Sequence, residues 1–252
     1  MSLVGQPVRA PCELAPEEIE HIPWLRRRLL SWFAREGRTF PWREPGRTPY
    51  EVIVAEMLLQ RTTAAGVAQA YIGFLKRYPS WIALVHAPLE GLENALRPLG
   101  LWRQKALAFQ RLAQSIEVNG GVVPRTRTEL ERLPGIGPYT ASAVLAIVYG
   151  RAEPLLDVNM ARLLGRFLGL SEGAEASPKR RLRERALLLV RGKRCLEVNW
   201  AALDFGALVC RARRPLCHEC PLRARCQYAR SLQLPSTPSA DVLSGSRSAG
   251  GR

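Results

Sequence analysis

The sequence has no long apolar stretch and no N-terminal pattern typical of a signal peptide. None of its 252 residues belongs to an uninterrupted apolar run of about 18 residues, the length that a membrane-spanning helix needs. The N-terminus also has no basic segment followed by an apolar one, as a secretory signal peptide would have. We therefore expect a cytoplasmic protein without a membrane segment.

Paired strand patterns and internal repeats are missing as well. Apolar residues instead recur at helical spacing along most of the chain, and we predict an all-α protein. The predicted helices run from Ala15 through Phe33, from Pro49 to about Thr62, and over roughly 65–77, 80–86, 89–96, 102–118, 127–132, 139–149, 159–169, 178–190 and 197–209. The two ends, 1–15 and 231–252, lack this periodicity and are predicted to be disordered.

Acidic residues are outnumbered by basic ones. The chain has 37 Lys and Arg against 22 Asp and Glu, a net charge of +15, and its pI is about 10.4. The basic residues recur along the chain rather than in one tail, at Arg26–Arg28, Arg125–Arg132, Lys179–Arg185 and Arg211–Arg214. This distribution favours a folded basic face for a polyanion such as nucleic acid. The alternative is ordinary solvated surface charge.

Cysteine is scarce outside one short window. Four of the six cysteines lie between residues 210 and 226, whereas Cys12 and Cys195 stand apart. Their spacing is Cys210-x6-Cys217-x2-Cys220-x5-Cys226. A [4Fe–4S] cluster fits this spacing better than a four-cysteine zinc site, which usually joins two close pairs, but structural zinc and free thiols stay open. The loop after the first cysteine could present three cations to phosphates: Arg211, Arg213 and Arg214.

A glycine-containing turn separates a charged predicted helix from an apolar one. It reads Leu133-Pro-Gly-Ile-Gly-Pro-Tyr139, with Gly135 and Gly137 in alternation. Glycine permits backbone angles that are closed to other residues, so we expect a tight turn with exposed N–H groups. These groups, with the positive end of the following helix dipole, would attract a DNA phosphate. A purely structural turn is the alternative.

Two carboxylates lie in contrasting local sequences. Glu56 interrupts the apolar segment Val52–Leu59, where burial would raise its pKa and keep it protonated as a general acid. Asp157 precedes the helix that begins near Asn159, an N-cap arrangement that favours an ionised side chain. Such a pair could break a glycosidic bond if both faced one cleft. The alternatives are a solvent-facing glutamate and a simple helix cap.

Taken together, these motifs resemble the helix-hairpin-helix DNA glycosylases. That family includes endonuclease III, the adenine-excising MutY enzymes and the thymine/uracil mismatch glycosylases of the Mig type. The resemblance spans residues 22–228. It is carried by Phe40-Pro-Trp-Arg43, Pro49-Tyr50, Glu56–Thr62, Leu133–Thr140, Leu156–Asn159 and the four clustered cysteines.

The resemblance implies a two-lobed helical fold with a DNA-binding cleft between the lobes. A six-helix barrel would cover residues 39–149, with the helix-hairpin-helix at 127–149, and a cluster lobe would combine residues 16–38 and 150–230. Duplex DNA containing a mismatch is the implied partner, and an abasic-site endonuclease would act on the product. We expect a monomer that associates with the nucleoid when it binds DNA.

The resemblance also implies roles for individual residues. Asp157 would stabilise the developing cation on the sugar, Glu56 would act as the acid, and Asn159 would be an accessory polar group. Gln60 and Arg61 correspond to the region that wedges into the duplex when a nucleotide is flipped out. The hairpin positions expected to contact the DNA backbone are Gly135, Gly137 and Thr140.

Position 139 bears on the reaction type. Endonuclease III has a lysine there that attacks the sugar and lets the enzyme cut the strand, whereas this chain has Tyr139. The resemblance therefore implies a monofunctional enzyme that hydrolyses the glycosidic bond and leaves an abasic site.

The choice of base rests on finer similarities. Segments Leu59–Gly66, Gly100–Ala106 and Gly121–Arg125 look closer to Mig than to MutY, and the chain ends where MutY usually continues into a domain that recognises oxidised guanine. We therefore expect thymine or uracil opposite guanine as the substrate, with adenine opposite guanine or its oxidised form as the alternative. A catalytically silent DNA-binding module and a bifunctional lyase with another lysine nucleophile remain further alternatives.

Overall fold

The computed structural model describes residues 16–170 and 178–232. These ranges contain no strand, and the all-α prediction is confirmed. Of the two ends predicted to be disordered, 1–15 and 231–252, the residues 1–15 and 233–252 lie outside the described residues, whereas Ser231 is the last residue of a short helix. The helices of the described part are α1 (Pro16–Glu36), α2 (Pro49–Leu59), α3 (Ala64–Arg77), α4 (Trp81–Val85), α5 (Leu89–Leu96), α6 (Trp102–Val118), α7 (Arg127–Leu130), α8 (Pro138–Ile147), α9 (Val158–Leu168), α10 (Pro178–Val190), α11 (Cys195–Leu208) and α12 (Gln227–Ser231).

Most helix boundaries agree with the sequence pattern to within two residues. Helix α2 ends at Leu59 instead of near Thr62, because Gln60 leaves the helical region and Arg61 adopts a positive φ of 53°. Helix α12 was missed, since five residues are too few to display helical periodicity. The first difference lies at an element end, where local pattern carries the least information.

Helix α2 is the central helix of the first half of the fold. It begins at a capping box in which Thr48 Oγ1 accepts from Glu51 N at 3.2 Å and Glu51 Oε2 accepts from Thr48 N at 2.8 Å. Every residue from Val52 to Leu58 is buried. A helix buried on all sides must be apolar almost everywhere, and Glu56 is the one charged side chain in that run.

The buried apolar residues form two large clusters. All those of the first lie between Trp42 and Leu145, and those of the second lie in Ile22–Trp32 and Met160–Leu222. A small third cluster, Ala143, Ala146 and Leu155, joins helix α8 to partly buried residues of α11. The lobe boundaries proposed from the sequence stay a prediction, but the core divides near the same places.

No helix in the described ranges is both long enough and apolar enough to span a bilayer.

Candidate active site

A single cleft of about 1080 Å³ brings together residues from distant parts of the chain. Its walls come from helix α2, the start of α8, the segment that leads into α9, and α11. The sequence could not establish whether the proposed catalytic residues meet. They all line this cleft: Glu56, Tyr139, Asp157 and Asn159.

Glu56 reaches the cleft from the second turn of the buried helix α2 and is 7% exposed. Burial raises the pKa of its carboxyl group to about 7; nearby Asp157 acts in the same direction, and Arg43 opposes them. A substantial fraction of Glu56 is therefore protonated at neutral pH, so this side chain can donate a proton.

Asp157 caps helix α9, as the sequence predicted. Its Oδ1 accepts from the backbone N–H groups of Asn159 and Met160, both at 2.8 Å, and its Oδ2 accepts from Asn159 Nδ2 at 2.7 Å. Burial nevertheless raises the pKa of Asp157 above its usual value, although these hydrogen bonds oppose the rise. Asp157 thus caps α9 from inside the cleft, where desolvation and these hydrogen bonds act on its pKa in opposite directions.

Tyr139 lies in the first turn of α8 beside both carboxyl groups. Burial raises its pKa well above the usual value, Glu56 and Asp157 raise it further, and Arg43 lowers it. The phenol therefore stays protonated at neutral pH. It can donate a hydrogen bond, but it cannot act as the amine nucleophile of a lyase.

Two arginines of the cleft wall, Arg38 and Arg43, belong to an ion cluster that the sequence pattern does not predict. Asp204 of helix α11 is 0% exposed and binds two arginines. Its Oδ1 accepts from Arg38 Nη2 at 2.6 Å and its Oδ2 accepts from Arg43 Nη1 at 2.9 Å. Burial alone would raise the pKa of Asp204, but these two arginines hold it below its usual value. Arg43 is thus fixed next to Glu56 and stacks over the ring of Trp200 at 5.6 Å.

The buried ion cluster is expected to stabilise the fold. We expect Asp204→Asn to lower the free energy of unfolding by about 3–5 kcal/mol, because it leaves two partly buried guanidinium groups without their anion. Chemical denaturation of both proteins measures this difference. Glu197→Gln is the matched control, since it removes an exposed ion pair with Arg194 and should change stability little. Equal effects of the two substitutions would contradict the prediction.

The predicted hairpin lies between α7 and α8, but only one of its glycines needs a special backbone angle. Gly135 has a φ of 80°, whereas Gly137 is extended with a φ of −91°. Only Gly135 therefore uses a backbone angle that is unfavourable for other residues. The first hydrogen bond of α8 runs from Ala141 N to Gly137 O, so the N–H groups of the two preceding residues, Tyr139 and Thr140, stay available at the helix start. The side chain of Thr140 is buried, so only its backbone is suited to contact a phosphate.

Gln60 and Arg61 form the turn that follows α2. Both are exposed and both line the cleft. They lie just beyond the end of α2, about one turn after Glu56.

Comparison with known proteins assigns the chain to a family. Residues 54–188 match the family of HhH-GPD superfamily base excision DNA repair proteins. The chain belongs to this superfamily. It is 40% identical over 209 residues to the thymine-DNA glycosylase of Aeropyrum pernix, an alignment that covers 81% of this chain and 93% of that protein.

Two further proteins are similar to most of this chain. The chain is 33% identical over 240 residues to the human adenine DNA glycosylase, covering 91% of this chain and 44% of that protein. A solved structure of a thermostable thymine-DNA glycosylase superposes with a TM-score of 0.78 at 30% identity, covering 84% of this chain and 98% of the other. The superfamily fold is therefore shared over most of the described residues.

The four clustered cysteines of this superfamily member line one small apolar cavity between α9, α11 and the loop before α12. Burial raises the pKa of Cys220 to about 11, and the other three thiols add to the rise because they lie nearby. In the described ranges, no three His, Cys, Asp or Glu side chains lie close enough to hold a single metal ion. The four thiols line this one cavity.

A chain of hydrogen bonds joins the cysteine loop to Asp157. Arg162 Nε donates to the carbonyl oxygen of Cys210 at 2.8 Å, and Arg162 Nη2 donates to Asn159 Oδ1 at 2.7 Å. Asn159 in turn donates to Asp157. A Cβ on Gly206 would lie 2.8 Å from Asn159 Cβ, so helix α11 can approach α9 here only because it has a glycine. The loop that holds the cysteines therefore helps to set the orientation of Asp157.

The remaining predicted DNA-binding residues lie on the loop after Cys210. All three arginines are exposed, and Arg166 holds the loop by donating to Arg211 O at 2.7 Å. They form a basic surface next to the cysteine cavity: Arg211, Arg213 and Arg214.

Proposed function

We propose that this protein is a monofunctional DNA glycosylase that removes thymine or uracil mispaired with guanine and leaves an abasic site. The observation that carries the proposal is the meeting of Glu56 and Asp157 in one cleft, the first with a pKa of about 7 and the second with hydrogen bonds that favour its ionised form. This is the pairing that hydrolysis of a glycosidic bond requires.

The two carboxyl groups would divide the reaction between them. As the bond between the sugar and the base breaks, the base leaves with the electron pair and receives a proton from Glu56. The Asp157 carboxylate stabilises the oxocarbenium-like sugar. A water molecule then bonds to the sugar carbon and releases its proton to solvent. Arg43, held by Asp204, lies beside Glu56 and lowers the pKa of its carboxyl group, against the effect of burial.

The positions of the lysine side chains support hydrolysis instead of strand cleavage. The sequence has four lysines, Lys76, Lys105, Lys179 and Lys193. Of the three whose side chains the structure describes, none lines the cleft; the side chain of Lys179 lies outside the described residues. Burial lowers the pKa of Lys105 to about 8, but its ammonium group is buried and donates hydrogen bonds to the carbonyl oxygen of Leu58 and to Thr62 Oγ1. Water is therefore the nucleophile that fits this site.

The choice of thymine or uracil is supported by the relatives. The proteins named as thymine or thymine/uracil glycosylases match along 90% or more of their own lengths. Adenine glycosylases also match, so removal of adenine opposite guanine is the second candidate.

Duplex DNA with a mismatch is the proposed partner. The exposed arginines after Cys210 and the N–H groups at the start of α8 are suited to contact DNA phosphates. The abasic product would pass to an abasic-site endonuclease.

A [4Fe–4S] cluster is the proposed cofactor of the cysteine cavity. The four cysteines would hold it, because they line one small cavity and their spacing lacks the two close pairs that are usual for a four-cysteine zinc site. When bound, it would supply a rigid brace for the arginine loop and, through Arg162, for Asn159. Iron and inorganic sulfide in the purified protein would support this assignment, and stoichiometric zinc would contradict it.

Base release from defined duplexes tests the function. We expect release of thymine and uracil opposite guanine, with strand breaks only after alkali, because the product is an abasic site. Adenine opposite guanine or 8-oxoguanine should stay in place. Release of adenine alone would favour the second candidate. Strand breaks without alkali, together with a borohydride-trapped complex, would contradict hydrolysis.

Salt-sensitive binding without release from any duplex would instead leave a silent DNA-binding module.

A further inference from the structure

Lys105 is a buried charged group that the proposed chemistry does not use. It lies in the first turn of α6 and is 4% exposed. Its Nζ donates to the carbonyl oxygen of Leu58 at 2.7 Å and to Thr62 Oγ1 at 2.6 Å. A buried ammonium group is costly to desolvate, so these two hydrogen bonds are needed to hold it in place.

Thr62 extends this contact to a second turn. Its hydroxyl group accepts from Lys105 and donates to the carbonyl oxygen of Leu99 at 2.7 Å. The turn after α2 and the turn before α6 are 37 residues apart in the chain, and this hydroxyl joins them.

Both turns have unusual backbone conformations and exposed side chains. Arg61 has a φ of 53° in the first turn, and Leu101 has a φ of 48° in the second. Positive φ is unfavourable for residues with a Cβ, so surrounding contacts must hold these conformations. Gln60 and Arg61 are exposed at the cleft rim, and Leu101 is 42% exposed, large and apolar. Together the turns present the kind of side chains that can enter a base stack.

We infer that Lys105 is a positioning residue for base extrusion. Through Thr62 it holds the turns 60–62 and 99–101 together as one rigid unit, and this unit opens the duplex. The inference rests on the proposed function, since it assigns these turns to the step before base release. Lys105 itself does not touch the substrate: it lies beneath the turns, and its hydrogen bonds are to Leu58 and Thr62.

The decisive variants remove the donors while keeping the side-chain volume. Lys105→Met removes the ammonium group, Thr62→Val removes the hydroxyl group, and Thr62→Ser keeps it. Lys76→Met is the matched control, because it makes the same replacement at an exposed lysine of α3. Thermal unfolding of each variant establishes that it is folded.

Two readouts separate positioning from general damage. The first is fluorescence of 2-aminopurine next to a G·T mismatch, which reports unstacking at saturating protein, with binding measured separately by anisotropy. The second is the single-turnover rate of thymine release from mismatches flanked by G·C pairs or by A·T pairs.

We expect Lys105→Met and Thr62→Val to bind the duplex but to lose most of the fluorescence increase. Thymine release should fall about 10- to 100-fold, the effect of losing a hydrogen bond to a charged group, with the larger loss between G·C pairs, where stacking is stronger. Thr62→Ser should retain the wild-type values of both readouts, and Lys76→Met should leave both unchanged.

Several outcomes would overturn the inference. They are wild-type unstacking and release in both variants, equal losses in the two flanking contexts, or loss of binding together with thermal stability. If the wild-type protein unstacks the mismatch but releases no base, the proposed function fails while the unstacking assay still judges the role of Lys105.

Discussion

Replacing Asp157 with asparagine is expected to slow base release from a G·T mismatch by on the order of 10²–10³-fold or more, because the site loses the anion that faces the developing positive charge. The substitution keeps the size of the side chain. Asparagine can still accept the backbone hydrogen bonds from Asn159 and Met160 that cap α9, so the fold should be retained. Single-turnover release with radiolabelled or fluorescent duplex measures the effect.

The control for this variant is Glu90→Gln, which neutralises an exposed carboxylate on α5. It should release thymine at the wild-type rate. Binding of the mismatched duplex by Asp157→Asn should be close to that of the wild type, so that the loss lies in the chemical step. A variant that kept most of its activity would remove Asp157 from the proposed mechanism.

Replacing Glu56 with glutamine is expected to lower the rate by about 10²–10⁴-fold, the usual contribution of a general acid. It should also change the shape of the pH profile. In the wild type Glu56 has a pKa of about 7 and must be protonated to act, so the rate should fall as the pH rises through about 7. Glutamine does not titrate, so the residual activity of the variant should lack this alkaline decline.

The acid limb of the same pH–rate profile depends on the ionisation of Asp157. This group must be ionised, and burial raises its pKa, so activity should be lost on acidification at a higher pH than for an ordinary aspartate. The acid limb should persist in Glu56→Gln. An alkaline decline that stays at the same pH in Glu56→Gln would show that another group sets it.

Much of the fold could be predicted from local pattern. Helical spacing of apolar residues placed α1, α6 and α10 because each side chain on the buried face repeats at the helix period. Glu56 could be singled out because it interrupts an apolar run. The ends of helices are harder to predict from the sequence. The extended φ of −91° at Gly137 likewise depends on how the turn packs.

The ion cluster and the lysine brace had no local signal. Asp204 binds Arg43, which lies 161 residues away, and Lys105 binds Thr62, which lies 43 residues away. Each is a charged residue in a helix, and most such residues are on the surface. Only their burial, which depends on the packing of distant helices, distinguishes them.

Residues close together in the chain encode the all-helical class, the four-cysteine loop, the hairpin and the chemical types of the two carboxylic acids, and the apolar run around Glu56 also predicts that burial raises the pKa of this acid. The packing of distant helices, in contrast, places Glu56, Tyr139 and Asp157 in one cleft and buries Asp157, which raises the pKa of this second acid as well. Ionisation in a protein depends on desolvation and on neighbouring charges, and both are set by residues far apart in the sequence.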